Sequence, residues 1–440
     1  MDSLILSFSY PPLILSGVFQ SVFFVLYSQF IGVYQMNKAA IVIIGGGLLG
    51  TSVAYHLTRR GACDVILLER LGLATAASSQ AAGLMFAISS KPAVDRLSRV
   101  TFKVIDALEE QLGDHLDFHR VGTVRLAETG KSRSTLEALY ARSQQEGISA
   151  EIVNEAWLFE NLPWLTAGSD ALSVFFADDG YIDPYRLVAA YARAAKRSGV
   201  RIETGVAVKS IRFDGKRMVA VQTSKGMFQC EKVVVAAGAW SNNLTMPLGI
   251  SLPMTPVRSH FWITAPGPLS YKNQPMTVHA DAGAYTRPEV NGMLLGVQEA
   301  FSPTFDYRIL PDDMDTFTIT ENGHEWDALI EAEPRVSRFF PGLNSARFES
   351  YVTGLSAYTP DGHFILGEID ERPGLYVAAG CCGSGVMSSG GIGDALAGLI
   401  IEGESPHNLM PFRPDRFGIV DPASTEFQML CAKARARKAE

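Results

Sequence analysis

The sequence is poor in the residues that build disulfide frameworks and metal sites. Only five of its 440 residues are cysteine and eight are histidine, and neither a CxxC pair nor an HExxH motif is present. We therefore expect no metal site and a reducing compartment. The five cysteines, which have no framework spacing, are Cys63, Cys230, Cys381, Cys382 and Cys431.

Basic residues are also scarce. The chain has 38 Lys and Arg against 46 Asp and Glu, so its formal net charge is −8. A nucleic-acid partner is not expected, because such binding depends on basic side chains that neutralise phosphates. The partner that we expect instead is a small molecule.

The first 36 residues lack charge almost completely, and no charged residue occurs between Ser3 and Asn37. The 22 residues from Leu13 to Tyr34 are long enough to cross a bilayer. A secretory signal is not expected, since a basic start and a cleavage site are missing. Two interpretations stay open: a membrane anchor, or translation that begins at Met36. We expect a cytoplasmic protein, and if the segment is an anchor, the basic residues that follow it place the body of the protein in the cytoplasm.

A complete β-α-β unit follows. Ala39 to Ile44 is an apolar run that predicts a buried strand, and the sequence GGGLLG at residues 45–50 fits G-x-G-x-x-G. A helix is expected from Thr51 to Arg60, and a second strand from Asp64 to Leu68 ends at Glu69. This order predicts a dinucleotide site, in which the glycines admit a pyrophosphate and the acid binds the ribose.

Later segments favour a large, extended cofactor. The small residues 76–84 follow the second strand, and two more apolar strands are predicted at Lys232 to Ala237 and Leu375 to Ala379. Both run directly into glycine, at Gly238 and Gly380. Three strand ends that meet at one crevice suit a long cofactor.

These motifs resemble the D-amino-acid oxidase superfamily of FAD enzymes. The resemblance rests on GGGLLG, on AAGAWS at residues 236–241, and on TPDGHFILGE with AAGCCGSGVMSSGGIG between residues 359 and 393. Ser78–Leu84, Leu252–Thr264 and Ala284–Glu299 look most like dimethylglycine dehydrogenase and sarcosine dehydrogenase. The implied fold is α/β (α+β), a Rossmann-like FAD domain interleaved with a mostly antiparallel substrate sheet.

The resemblance also implies the FAD contacts. The expected residues are Gly45, Gly47, Leu48, Leu49, Gly50, Glu69, Arg70, Ser78, Ser79, Gln80, Ala82, Gly83, Val208, Ala237, Gly238, Trp240, Gly354, Gly383, Ser384, Gly385, Val386 and Met387. In the family a histidine or a cysteine can carry FAD covalently. The matching positions here are Gln80 and Gly354, so the sequence predicts non-covalent FAD.

Two other departures concern the substrate. The arginine that binds a carboxylate in glycine oxidase matches Ser356, and the oxygen-activating lysine of monomeric sarcosine oxidase matches Met387. Another cation is therefore needed. The predicted catalytic residues are Arg258, His260, Tyr285, Arg287 and Tyr358, with Lys91 as a further candidate and the basic tail as a solvated end. No folate-binding part is expected.

The expected function is FAD-dependent oxidation of a secondary or tertiary amine, such as sarcosine or dimethylglycine, followed by imine hydrolysis. Alternatives are an FAD-bearing subunit of a hetero-oligomeric opine or D-amino-acid dehydrogenase, and a non-catalytic nucleotide-binding protein. A partner subunit or a separate electron acceptor stays open.

The expected domain segments are 1–36 (apolar), 37–118, 171–250 and 353–418 (FAD domain), 119–170 and 251–352 (substrate domain), and 419–440 (polar tail).

Overall fold

The structure is a computed structural model, and it describes residues 37–436 except 169, 268, 270–272 and 291. The apolar segment 1–36, interpreted either as a membrane anchor or as residues before a start at Met36, lies outside these residues. Across the described part of the chain, no helix is both long and apolar enough to cross a membrane.

The described residues form twenty strands and nine α-helices. The strands are β1 (Asn37–Lys38), β2 (Ile41–Ile44), β3 (Val65–Glu69), β4 (Leu84–Met85), β5 (Thr123–Ala127), β6 (Ala150–Ile152), β7 (Leu172–Phe176), β8 (Gly180–Tyr181), β9 (Arg201–Thr204), β10 (Val208–Asp214), β11 (Arg217–Thr223), β12 (Gly226–Gln229), β13 (Lys232–Val235), β14 (Thr255–Thr264), β15 (Met276–His279), β16 (Ala284–Glu289), β17 (Gly292–Val297), β18 (Phe348–Tyr358), β19 (Ile365–Glu368) and β20 (Leu375–Ala379). The helices are α1 (Leu48–Arg59), α2 (Pro92–Leu112), α3 (Gly130–Gln145), α4 (Glu155–Asn161), α5 (Pro184–Arg197), α6 (Ser241–Thr245), α7 (Asp327–Phe339), α8 (Gly385–Glu402) and α9 (Thr425–Ala436).

The first layer is a six-stranded sheet in the order β19-β20-β13-β2-β3-β9, parallel except for the edge strand β19. The apolar runs of β2, β13 and β20 are buried along their length, which is expected of a parallel sheet covered on both faces. Helices α1, α2, α5 and α8 cover one face. The small sheet β1-β12-β11-β10 covers the other.

Helices α1 and α8 run in the same direction. The Ser52 hydroxyl donates to the Ser389 carbonyl at 2.7 Å, and at the far end Arg60 pairs with Glu402. The two helices approach each other closely at Gly393, where even a Cβ would lie 2.3 Å from the Ser52 hydroxyl. The two helices therefore begin at the same edge of the parallel sheet.

The second sheet has eight strands in the order β18-β14-β17-β16-β15-β5-β7-β6. All neighbouring pairs are antiparallel except β15 with β5. One face packs on α7 through a core that includes Trp262, Leu295 and Val336. The predicted fold class, a Rossmann-like domain with a mostly antiparallel second sheet, is confirmed.

The strands of each sheet come from separated parts of the chain. The parallel sheet takes strands from residues 41–69, 201–235 and 365–379, and the second sheet from 123–176, 255–297 and 348–358. Strand β18 continues across residues 352 and 353, where the sequence analysis placed a boundary. The exact segment boundaries stay a prediction.

The basic tail is helical up to Ala436 and packs on strands β14 and β18. Phe427, Cys431 and Arg435 are buried there, whereas Lys433 is exposed. The interpretation of the tail as a solvated end is therefore wrong for Arg435.

Candidate functional site

The loops that follow β2, β13 and β20 lie at the carboxyl edge of the parallel sheet, and we call residues 45–50, 236–240 and 380–387 the glycine edge. Gly45 has φ +115°, and a Cβ there would lie 2.4 Å from the Ala236 carbonyl oxygen. A Cβ at Gly50 would lie 2.0 Å from the Gly45 carbonyl oxygen. Backbone thus touches backbone, and side chains have no room at these two positions.

Helices α1 and α8 both begin at the glycine edge. Neither has a side chain that caps its first N–H groups through its N-cap residue, which is Gly47 for α1 and Ser384 for α8. The Leu48 N–H donates to the Ser78 hydroxyl at 3.1 Å, so the 76–83 loop lies beside the start of α1. The first turn of a helix and the positive end of its dipole suit phosphate oxygens.

Glu69 and Arg70 leave β3 at the same edge. The Glu69 carboxylate accepts from the Gly46 N–H at 2.7 Å and from the Leu71 N–H at 2.9 Å. The Arg70 guanidinium lies 3.9 Å from the centre of the Trp240 ring. Val208, the first residue of β10, lies near Arg70, because the side chains of Arg70 and of the next residue, Lys209, both pair with Asp312.

The group that these residues would hold is FAD. The backbone at Gly45 and Gly50 leaves no room for a Cβ, and the first N–H groups of α1 lie beside it. The acid Glu69 lies at the end of β3. This donor set fits a dinucleotide. The role of each single residue stays a prediction.

The 76–83 loop is the bridge between the two sheets. A Cβ on Gly354 in β18 would lie 2.3 Å from the Gln80 side-chain oxygen, so these two residues are in direct contact. The Arg287 Nε donates to the Ala82 carbonyl at 2.6 Å. The structure therefore brings together Gln80 and Gly354, the two positions for which the sequence analysis considered a covalent link to FAD.

The strand registers define which face of the second sheet meets this loop. Arg287 lies opposite Leu294, which lies opposite Ile263, and Ser259 lies opposite Gly354. Because side chains alternate along a strand, one face carries Tyr285, Arg287, Gly354, Ser356 and Tyr358. We call these five residues the facing surface.

The glycine-rich turn before α8 is tied to the end of the facing surface. The Cys382 N–H donates to the Ala357 carbonyl at 3.0 Å, and Cys382 adopts φ +47°. Tyr358 is completely buried beside Cys382. Tyr358 and the predicted FAD contacts at 383–387 are thus close neighbours. Burial raises the pKa of the Cys382 thiol to about 11.

The two tyrosines of the facing surface keep their protons. Burial raises the pKa of both Tyr285 and Tyr358 above the ordinary value of 10.0. Each phenol is therefore available as a hydrogen-bond donor over the whole physiological range.

Arg258 and His260 were predicted for the site, but they alternate onto the opposite face of β14. The Arg258 Nη2 donates to Glu299 at 2.5 Å, and the His260 Nδ1 lies 3.2 Å from the Tyr351 hydroxyl. Burial, followed by the charges of Arg258 and Arg435, lowers the pKa of His260 to about 3. His260 is therefore neutral, and the structure does not bring these two residues to Gln80.

Arg435 on α9 is a buried arginine in the segment that the sequence analysis interpreted as a solvated tail. Its positive charge adds to the lowering of the pKa of His260, and it opposes, without overcoming, the rise that burial causes in the pKa of Tyr285 and Tyr358. The available signal was its spacing, since Arg435 follows the apolar residues Phe427 and Cys431 at four-residue steps on one face of α9.

Comparison with known proteins agrees with this geometry. The model of the family "FAD dependent oxidoreductase" (DAO) matches residues 40–399. The chain is 30% identical to 4-methylaminobutanoate oxidase (formaldehyde-forming) of Paenarthrobacter nicotinovorans, over 82% of this chain and 43% of that protein. It is 28% identical to mitochondrial dimethylglycine dehydrogenase of Rattus norvegicus, over 87% of this chain and 45% of that protein.

Both relatives are much longer, and the chain spans less than half the length of each. Among solved structures, glycine oxidase of Geobacillus kaustophilus is 27% identical with a TM-score of 0.72, covering 87% of this chain and 99% of that one. The resemblance to dimethylglycine dehydrogenase predicted from the sequence motifs is confirmed.

Proposed function

This chain belongs to the family of FAD-dependent oxidoreductases, and from that premise we propose that it oxidises a secondary or tertiary amine that also carries a carboxylate. N-methyl amino acids such as dimethylglycine and sarcosine are the proposed substrates. The names of two relatives support this choice, because 4-methylaminobutanoate and dimethylglycine are both N-methylated amines with a carboxylate.

The observation that carries the proposal is the contact between Gln80 and Gly354. It places the facing surface of the second sheet against the loop beside the glycine edge. A substrate held on that surface would lie next to a cofactor held by the loop. The reaction therefore has a geometric basis in this chain, independent of the names of its relatives.

The charges around this contact favour a neutral amine. Glu289 is paired with Arg287 at 2.6 Å, and Glu299 is paired with Arg258 on the opposite face. Neither acid is free to stabilise an ammonium group. An amine with a pKa near that of lysine, roughly 10.4, would lose its proton more easily in such a desolvated place.

Bound FAD would accept a hydride, which carries both electrons, from the carbon next to the nitrogen. The protein's own residues hold the amine and exclude water, and the nitrogen lone pair stabilises the iminium that forms. Water then adds to the iminium and releases the dealkylated amine and an aldehyde. No catalytic acid or base is required, which agrees with protonated phenols at Tyr285 and Tyr358.

The test is reduction of the flavin without oxygen. Purified protein with FAD is mixed anaerobically with dimethylglycine, sarcosine or 4-methylaminobutanoate, and the visible flavin absorbance is followed. We expect at least one of them to remove that absorbance and to release formaldehyde. Trimethylglycine is the matched control, since it keeps the carboxylate but has no lone pair, and it should leave the flavin oxidised.

The other outcomes are informative. Reduction by opines or D-amino acids alone would contradict the proposed substrate class and favour the dehydrogenase-subunit alternative. A flavin that no amine reduces would contradict the reaction itself. Admission of air after reduction then separates an oxidase from a dehydrogenase.

We also propose that FAD is bound without a covalent link. The two positions used for attachment in relatives hold Gln80 and Gly354, and neither side chain has a nucleophile. Acid precipitation should release all the flavin into the supernatant. Flavin that stays with the pellet would contradict this.

A further inference from the structure

We propose that Arg125 and Asp179 form a buried clamp that positions the chain beside the FAD loop, and that the affinity for FAD depends on this clamp. The clamp acts on residues 82–88, which continue the 76–83 loop and which we call the strap. Neither Arg125 nor Asp179 was predicted from the sequence. Because the clamp acts on the cofactor side of the site, it goes beyond the proposed function, which concerns the amine.

The strand registers place Arg125 on the same face of the second sheet as Tyr285. Arg125 in β5 lies opposite Val278 in β15, and Val278 lies opposite Tyr285 in β16. Residues that lie directly opposite one another in neighbouring strands point to the same side of a sheet. Arg287, two positions after Tyr285, shares this side. The face that carries the facing surface therefore extends across the sheet to Arg125.

Two arginines of this face donate to the backbone of the strap. The Arg287 Nε donates to the Ala82 carbonyl at 2.6 Å, and the Arg125 Nη2 donates to the Ile88 carbonyl at 2.7 Å. The two hydrogen bonds hold the strap at both of its ends. Because the strap continues the 76–83 loop, they fix the path by which the chain leaves the predicted FAD contacts.

Asp179 completes the clamp from the turn between β7 and β8. Its carboxylate is fully buried, and its two oxygens accept from the Ala87 N–H at 2.8 Å and from the Arg125 Nη2 at 3.2 Å. The Arg125 guanidinium also lies over the rings of Phe86 and Phe176, 4.8 and 4.6 Å from their centres. A buried carboxylate is costly without its partner, so the pair has a strong preference for this arrangement. The clamp therefore holds the strap through a donor and an acceptor together.

Beyond the clamp the chain returns to the cofactor side. Lys91 follows the strap, and its ammonium donates to the Gly362 carbonyl at 2.8 Å. Gly362 and Thr359 belong to one turn, and the Thr359 N–H donates to the Cys382 sulfur at 3.4 Å, shortly before α8 begins. A displaced strap would therefore disturb the 76–83 loop as well as the turn before α8.

The test measures release of FAD, so it does not depend on which amine is oxidised. The variant combines Arg125→Met with Asp179→Asn. It loses the charge pair and the hydrogen bond to Ile88, but it leaves no buried charge without a partner, and the new amide can still accept from the Ala87 N–H. The FAD-loaded proteins are diluted, and free FAD is followed by its fluorescence. We expect a dissociation constant about tenfold higher than that of the wild type, which corresponds to the loss of a hydrogen bond from a charged group.

Hydrogen exchange provides a readout that a general loss of stability would not give. In the FAD-loaded double variant, peptides that cover residues 84–91 should lose protection, whereas peptides from β2, β13 and β20 should keep theirs. Arg125→Lys retains a donor for the Ile88 carbonyl and a positive charge for Asp179. It should therefore keep part of the FAD affinity and part of the protection.

Arg60→Met is the matched control. Arg60 is another largely buried arginine, and it pairs with Asp394 and Glu402 at the far end of α1. Its loss should lower the melting temperature and leave both FAD release and the exchange of the strap unchanged. An equal rise of the FAD dissociation constant in Arg60→Met would contradict a specific role for the clamp.

The remaining outcomes separate this inference from the proposed function. Unchanged FAD release in the double variant would overturn the clamp's role in FAD affinity, whether or not the strap loses protection and even if dimethylglycine reduces the flavin. FAD release that depends on the clamp, in a protein that no amine reduces, would keep the clamp and overturn the proposed reaction. If the double variant does not fold, Arg125→Lys compared with Arg60→Met decides.

Discussion

The glycine edge and the facing surface are built in different ways. The glycine edge is made of backbone: Gly45 touches Ala236, and Gly50 touches Gly45 within the same short motif. The facing surface is made of side chains from strands β16 and β18, which the strand registers bring to one face. The first region consists of three short motifs, each of which is local in sequence, whereas the second depends on which side chains the strand registers bring together. A motif can therefore identify the cofactor, while the substrate contacts depend on packing between distant segments.

The largest expected effect lies in the glycine edge. Gly50→Ala places a methyl group 2.0 Å from the Gly45 carbonyl oxygen, and a backbone atom cannot move away as a side chain can. We expect loss of FAD binding and a free energy of unfolding lower by about 3 kcal/mol or more. The measurements are flavin content and chemical denaturation. Gly130→Ala has no atom within 4 Å and should bind FAD normally; equal losses in both variants would contradict the difference between the regions.

The next effect concerns the link between the regions. Arg287→Met removes the hydrogen bond to Ala82 and leaves the Glu289 carboxylate without its guanidinium. We expect the free energy of unfolding to fall by about 2–4 kcal/mol, since a mostly buried charge loses its partner. Urea denaturation measures it. The surface pair of Arg308 with Asp306 is the control, and a comparable loss in Arg308→Met would argue against a special role for Arg287.

A pH experiment tests whether His260 belongs to the far face. Burial lowers its pKa from 6.5 to about 3, so the unfolded chain binds the proton more readily than the folded one between these values. Stability is therefore present above pH 6.5 and is lost as the pH falls. From pH 7 to pH 5 the part of the loss due to His260 should be about 2 kcal/mol. His260→Gln should remove that part and keep the part due to His279, whose pKa burial lowers to about 4.

An exposed histidine gives the opposite sign and serves as a control for that experiment. The hydrogen bond with Asp327 raises the pKa of His324, so its small contribution is present below pH 6.5 and is lost as the pH rises. The profile of His324→Gln should therefore keep the acid sensitivity of the wild type. A His260→Gln profile that matches the wild type would show that His260 is not the cause.

The smallest effect sharpens the contact between the regions. Gly354→Ala places a methyl group 2.3 Å from the Gln80 side-chain oxygen, which can move because it ends a flexible side chain. We expect a loss of about 1 kcal/mol in stability and weaker FAD binding. Gln80→Gly in the same protein should restore both. A double variant as weak as the single one would show that the two residues do not interact.

The predictions from sequence succeeded where the signal was local. Strand Leu375–Ala379 was predicted at its observed bounds, and the helix after the glycines begins at Leu48 rather than Thr51. Arg258 and His260 were predicted to lie in the same site as Tyr285 and Arg287. Side-chain alternation shows which residues of one strand share a face, but it does not show which faces of two different strands coincide. The face that each strand turns toward the loop depends on register, which the sequence does not state.

The sequence by itself determined the parallel sheet, the glycine motif and the membership of an FAD family, because each depends on a contiguous run of apolar residues or glycines. Only the tertiary structure decided which side chains share the facing surface. Gln80 meets Gly354 across 274 positions (354 − 80) in the chain, and Arg435 is buried on a helix that the sequence analysis interpreted as a solvated tail. The physical reason is that burial and pairing of a charge are properties of packed neighbours, which lie far apart along the chain.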